Sequence, residues 1–166
     1  MIASDKLAIA LDLNESERVL ALATALSGAG LKAPVRTKIR DDIWLKLWGN
    51  ATFNPVSALT HATLEQMAND KDVHALIRKM MLECEQVANK LGVKFPLDIE
   101  KRIEGARKVG AHKTSMLQDL ENGRPLEIDA LVAVVGELGQ LVDIPTPMID
   151  AVLSLLRLKV GVADNV

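Results

Sequence analysis

From Ile39 to Leu158 apolar residues recur at the three- and four-residue intervals of a helix face, whereas the first 38 residues mix short apolar runs with Gly and Pro. Residues 6–12, Lys-Leu-Ala-Ile-Ala-Leu-Asp, predict a short strand. The acidic stretch Asn14-Glu15-Ser16-Glu17 opens an apolar-periodic helix to about Ser27, and Gly28 and Gly30 stop it. Lys32 to Thr37 predicts a second extended piece, with Pro34 confining it to an edge because proline has no N–H to donate to a ladder. Two such fragments cannot bury a face of their own, so their sheet partners are expected outside this chain.

The pattern then predicts helices over 39 to about 53, over 55 to 68 with a kink or restart at Pro55, and over 70 to 91. Gly92 reads as a left-handed cap and Pro96 as the first position of a helix ending near Val109. Gly110 and Thr114 bound a loop. Thr114 caps a short helix from Ser115 to Leu120, and Asn122-Gly123 marks a turn. A helix over Glu127 to Leu141, the rigid connector Asp143-Ile-Pro-Thr-Pro147, a last helix over Met148 to Leu158 and a frayed tail from Val160 complete the expectation.

One polar pattern stands out against this background. Lys46, Asn50 and Asn54 are four residues apart in a run that is largely apolar, with Trp44, Leu45, Leu47, Trp48, Ala51 and Phe53 between and beside them. Each four-residue step drifts only about 40° round a helix, so one ammonium and two carboxamides share an edge. An ordinary solvated edge would look the same. With bulky apolar groups on nearly every side, however, these polar groups need partners or a ligand.

Composition narrows the classes. The 166 residues suit one domain, 49% hydrophobic and 25% charged. A net charge of −2 and a pI near 5.9 provide no basic field for nucleic acid or an anionic membrane. With no Tyr, two Trp and two Phe, a base-stacking platform is not expected either. Cys84 is the only cysteine, which excludes an internal disulfide and reads as a small buried hydrophobe. No stretch reaches the roughly 18 uncharged apolar residues of a membrane span, so a cytoplasmic location is expected. His61, His74 and His112 lie far apart without other ligand spacing, and no metal is expected. Met67, Met80 and Met81 read as core, and Gly105 to Gly110 with His112-Lys113 as a basic solvated connector.

A second cluster, Lys113-Thr-Ser-Met-Leu-Gln-Asp119 followed by Asn122-Gly-Arg-Pro-Leu-Glu-Ile-Asp129, is denser in polar chemistry than any other segment. By itself it is consistent with a capped short helix, a tight turn and a helix whose first turn carries acids. Taken with the first pattern, it resembles the C-terminal domain of the ketopantoate reductase (2-dehydropantoate 2-reductase) family. The resemblance runs from about Leu7 to Leu158. It rests on Ile43-Trp44, Lys46, Asn50 and Asn54-Pro55, then Ser115-Met-Leu-Gln-Asp119, Gly123-Arg124, Glu127-Ile-Asp129 and Ile144-Pro-Thr-Pro147.

The resemblance implies a mainly all-α helical bundle like the C-terminal domain of 6-phosphogluconate dehydrogenase-like reductases. One or two short strands left from a dinucleotide-binding domain would precede it. Residues 1–36 would be the remnant of that domain, and residues 37–166 the helical substrate and dimerisation domain. It also implies Lys46 as general acid, Asn50 and Asn54 as substrate-binding amides, Ser115 as a substrate contact, Glu127 as a catalytic and cofactor contact, and Asp119 as a weaker cofactor candidate. The partners implied are NADPH, a 2-keto acid and a second copy in a homodimer. The chemistry suits the allocation: hydride addition to a keto carbon grows charge on its oxygen, which an ammonium stabilises and protonates. Lys46 fills that role best if partly buried, since burial lowers an amine's pKa.

The sequence departs from the family pattern at Leu126, where Thr is common, and at Ala130, Val132 and Ala133, where Tyr, Asn and Gly are common. These changes beside Glu127 leave room for a different 2-keto acid. The larger departure is that no Gly-x-Gly-x-x-Gly run occurs, and Gly28-Ala-Gly30 closes a helix instead of opening one. The chain is therefore expected to be a portion of an NADPH-dependent reductase of pantothenate biosynthesis, inactive alone. The alternative is a non-catalytic all-α oligomerisation or regulatory module built on the same scaffold.

Overall fold

The computed structural model describes residues 17–163, with side chains to Gly161; the expected strand over 6–12 lies outside them. The chain divides into two compact units, one up to Ile43 and one from Trp44 onward, each described by itself.

The first unit contains α1 (Glu17–Gly28), which closes as Leu31 N donates to Leu26 O at 3.0 Å across Gly30 at φ 85. The left-handed glycine permits this reversal, as the Gly28/Gly30 stop anticipates. The extended piece at 32–37 is reduced to bridge positions at Lys32 and Val35. Arg36 pairs with Asp42 at 3.3 Å where α2 (Ile39–Thr60) begins.

The second unit is helical throughout its regular elements: the rest of α2, then α3 (Leu64–Asn69), α4 (Lys71–Lys90), α5 (Ile99–Val109), α6 (Ser115–Glu121), a π-helical turn at Asp129–Ala133 running into α7 (Val134–Leu141), and α8 (Pro147–Ala163). Its core joins Trp48 and Phe53 of α2, Ile77, Met80, Met81, Cys84 and Val87 of α4, Ile103 of α5, and Ile149 and Leu156 of α8. Each large apolar side chain so buried contributes roughly 1.5–3 kcal/mol. Met67 is 1% exposed, while Met80, Met81 and Cys84 are fully buried, as expected of core residues. Burial pushes the Cys84 thiol up to about 12, which leaves it unreactive.

Three polar ties fix the packing. Trp48 Nε1 donates to Met81 O at 2.8 Å while its ring stacks on Phe95 with centroids 4.1 Å apart, locking α2 to α4. The Glu83 carboxylate accepts from Met148 N and Ile149 N at 2.9 and 3.0 Å, so α4 caps the amino end of α8. Lys159 Nζ donates to Ala58 O and Leu59 O at 2.6 and 3.1 Å, so α8 in turn caps the carboxyl end of α2.

Several boundaries differ from expectation for identifiable reasons. Pro55 lies inside α2 and does not restart it. All residues from Ala51 to Ala58 are buried, and packing of that kind outweighs one lost backbone bond. The break falls instead at His61, held at φ 60, and α3 starts on a capping box in which Thr63 and Gln66 satisfy each other's backbone N–H. Pro96 precedes its helix: Asp98 is the cap, accepting from Lys101 N at 2.8 Å. The supposed basic connector is the end of α5, where Arg107 donates to Ala68 O at 2.9 Å. The helix expected from Glu127 opens with the π-helical turn at Asp129, and the expected tail continues as helix to Ala163. The Thr114 cap, Gly92 at φ 84 and Gly123 at φ 64 stand where the sequence puts them.

Candidate functional site

Because α2 is unbroken, the four-residue spacing of Lys46, Asn50 and Asn54 becomes a real edge, and burial deepens along it. Lys46 is exposed, Asn50 half-buried, and Asn54 only 5% exposed. The gradient follows from packing, since Asn54 lies within the fully buried stretch 51–58 while Lys46 leans back toward the amino end of the helix. The partial burial expected of Lys46 is therefore not found. At the foot of the edge Asn54 Nδ2 is buried with no hydrogen-bond partner among the described residues. An orphan donor of this kind costs about 1–3 kcal/mol unless something accepts from it.

A residue that sequence reasoning missed lies against the same helix. The Arg102 guanidinium, from α5, occupies a notch that only glycine leaves open: a Cβ at Gly49 would stand 2.0 Å from Nη2 and 2.9 Å from Cζ. Arg102 is half-buried, its guanidinium makes no hydrogen bond or ion pair among the described residues, and burial holds its pKa below the ordinary arginine value. Nothing in Glu100-Lys-Arg-Ile103 singles it out beforehand.

The second cluster is organised differently. Ser115 is exposed at the first position of α6, beside buried Thr114, whose hydroxyl accepts from Leu117 N at 3.2 Å. Asp119 accepts from Arg124 Nη1 at 3.4 Å, and Arg124 N donates to Asp119 O at 2.8 Å across the Gly123 turn. Lys113 donates to both Glu121 oxygens at 2.7 Å, and Asp129 holds Arg157 at 2.6 Å. Glu127 is exposed, and its carboxylate has no partner among the described residues. Of the four positions that depart from the family pattern, Ala130, Val132 and Ala133 lie in the π-helical turn that follows it, and Leu126 directly precedes it. Such turns often occur at functional sites because they re-aim neighbouring side chains.

No hydrogen bond or ion pair among the described residues joins Lys46, Asn50 or Asn54 to Ser115, Asp119 or Glu127. α2 carries an ammonium and two carboxamides along one edge, and α5 lays a guanidinium on Gly49, about 60° round the helix from Lys46 on the side away from Asn54. These donors suit an oxygen-rich anion and offer no carboxylate to a metal ion. For a nicotinamide dinucleotide, Glu127 fits, as an unpaired carboxylate able to accept from a hydroxyl or amide, whereas Asp119 is already engaged by Arg124. Among the described residues no helix is long and apolar enough to cross a membrane.

Comparison with known proteins identifies the family. The family described as ketopantoate reductase PanE/ApbA C terminal matches residues 38–160. The 2-dehydropantoate 2-reductase of Mesorhizobium japonicum is 61% identical over 142 residues, 86% of this chain and 44% of that protein. The crystal structure of 2-dehydropantoate 2-reductase from Methylococcus capsulatus superposes with a TM-score of 0.79 at 32% identity, covering 86% of this chain and 46% of that one. That from Geobacter metallireducens gives 0.84 at 26%, covering 93% and 52%. The chain thus spans about half the length of the relatives it matches. With the family match covering its helical unit and the polar edge of α2 in place, the chain belongs to the ketopantoate reductase family, in the C-terminal domain.

Proposed function

We propose that this chain is the C-terminal portion of an NADPH-dependent 2-dehydropantoate 2-reductase, which converts ketopantoate to pantoate in pantothenate and coenzyme A biosynthesis. The observation that carries the reading is the α2 edge, where a lysine, a half-buried amide and a buried, unpartnered amide stand in line on one continuous helix. When bound, the cofactor supplies a hydride to the keto carbon. Lys46 stabilises the charge that grows on the keto oxygen and transfers its proton there, giving the hydroxyl, and is then reprotonated from water. Asn50 donates to the same oxygen, Asn54 Nδ2 holds a further substrate oxygen, and the Ser115 hydroxyl donates to the carboxylate. Glu127 orients a cofactor or substrate hydroxyl.

Residues 1–36 are, in this reading, the end of a dinucleotide-binding domain, and residues 37–166 the substrate and dimerisation domain. The chain works in the cytoplasm as part of a homodimer whose dinucleotide-binding half holds most of the cofactor. Fusing the chain behind that half of the Mesorhizobium relative and following NADPH oxidation with ketopantoate tests the proposal. The fusion is expected to turn over and the chain alone not to. Turnover by the chain alone would overturn its dependence on a second half, and an inert, folded fusion would overturn the reductase reading.

A further inference from the structure

The proposed reduction gives Lys46 and the amides something to do but leaves Arg102 unused. Arg36, Arg78, Arg107, Arg124 and Arg157 each meet a carboxylate, from Asp42, Glu100, Glu104, Asp119 and Asp129 respectively. Arg102 meets none among the described residues, although it is half-buried and its charge is permanent. A partly desolvated guanidinium without a counter-charge is a costly arrangement unless an anion arrives.

Its position says which anion. The fork lies on Gly49, which follows Lys46 by three residues and directly precedes Asn50. Side chains three apart on a helix are about 5–6 Å apart at Cβ, so the guanidinium lies about one turn from the Cβ of Lys46, within the sweep of that long, exposed side chain. A 2-keto acid carries its keto oxygen and its carboxylate on adjacent carbons, and two cations one turn apart match both groups at once. The guanidinium fork matches a carboxylate bidentately, which an ammonium cannot do. The geometry points to Arg102, seated in the Gly49 notch, as the charged group that pairs with the carboxylate of the 2-keto acid, in addition to the neutral Ser115 hydroxyl, and so selects acids over neutral ketones, an assignment that rests on the reductase reading.

Three variants of this chain and the wild type test the assignment by calorimetric titration with ketopantoate, with the Arg102 side-chain N–H signals followed by NMR in the wild type and in Gly49→Ala, and thermal melts as the folding control. Arg102→Met keeps the aliphatic packing and is expected to weaken binding about ten- to a hundredfold. Arg102→Lys recovers part of the loss, because the charge returns without the fork. Gly49→Ala leaves the arginine in place but forces it out of the notch, and is expected to weaken binding as Arg102→Met does while the melt stays unchanged. The neutral lactone of ketopantoate should bind wild type and Arg102→Met alike. Unchanged affinity in Arg102→Met, a lactone bound as tightly as the acid, or no Arg102 response at millimolar ketopantoate would each overturn the inference. The fusion enzyme separates the two readings. If it reduces ketopantoate with the same KM in Arg102→Met as in wild type, the carboxylate assignment fails alone. If the chain binds ketopantoate through Arg102 but the fusion does not reduce it, the reductase reading fails alone.

Discussion

The α2 edge and the 113–129 segment are the two polar regions of this chain, and they differ in what their polar groups are doing. In 113–129 most charged groups are paired, Glu127 excepted: Lys113 grips Glu121, Arg124 grips Asp119, and Asp129 reaches Arg157 of α8. On the α2 edge they are few, with Asn54 Nδ2 unpartnered among the described residues and Arg102 packed against helix backbone at Gly49. Density of polar residues is therefore a poor guide to a site. Buried donors left unsatisfied among the described residues, Asn54 Nδ2 and also Arg107 Nε, carry a cost that a ligand able to accept from them would recover.

The contrast can be broken most directly at the two lysines. In the fusion enzyme, Lys46→Ala is expected to lower kcat about 10²- to 10⁴-fold, the usual worth of a general acid, while Lys113→Ala leaves kcat nearly unchanged. Steady-state NADPH oxidation reads both, and a reversed order would move the chemistry to the second cluster.

Stability should respond most to a buried group that is satisfied. Glu83→Ala strips the cap from α8 and is expected to cost about 2–3 kcal/mol in urea unfolding. Burial, opposed by the Ile149 and Met148 amides and reinforced by Asp150, raises the Glu83 pKa above 4.5. The folded chain therefore takes up this proton more readily than the unfolded one. The group's contribution to stability is complete below the unfolded value and declines as pH rises through the higher folded one. Glu83→Gln should flatten that part of the pH profile, and an unaltered slope would refute the assignment.

Asn54→Leu should behave in the opposite way. Removing an unsatisfied buried donor is expected to leave stability unchanged or raise it by about 1 kcal/mol, while ketopantoate affinity falls. A clear drop in melting temperature would show that Asn54 is structural. The smallest effect is expected at Arg124→Ala, where an exposed pair at 3.4 Å should be worth less than about 1 kcal/mol and fade with salt.

Much of the fold and of the α2 edge is legible in the sequence where a local rule governs. The helical periodicity from Ile39 onward, the Thr114 cap, the left-handed Gly92 and Gly123, and the Lys46-Asn50-Asn54 edge all depend on residues within one or two turns of each other. The boundaries that differ are those where a single residue's signal competes with longer-range packing. Pro55 signals a restart, yet α2 is buried all round there. Thr63 and Gln66 carry the spacing of a capping box, a signal sufficient to place the start of α3. The π-helical turn and the half-buried Arg102 have no local signature. Arg102 acquires its meaning from Gly49, fifty-three residues earlier in the chain, through a contact that neither residue's own surroundings foretell.

Lys159 reaches the last carbonyls of α2 from 101 residues further along the chain. During synthesis the helix that carries Lys46, Asn50 and Asn54 leaves the ribosome long before the side chain that secures its end. The Glu83 cap likewise waits 65 residues for its amide partner. The site helix therefore reaches its finished form only when translation has passed through α8, which makes its rigidity a property of the completed chain and exposes nascent α2 to chaperones or mispairing in the meantime.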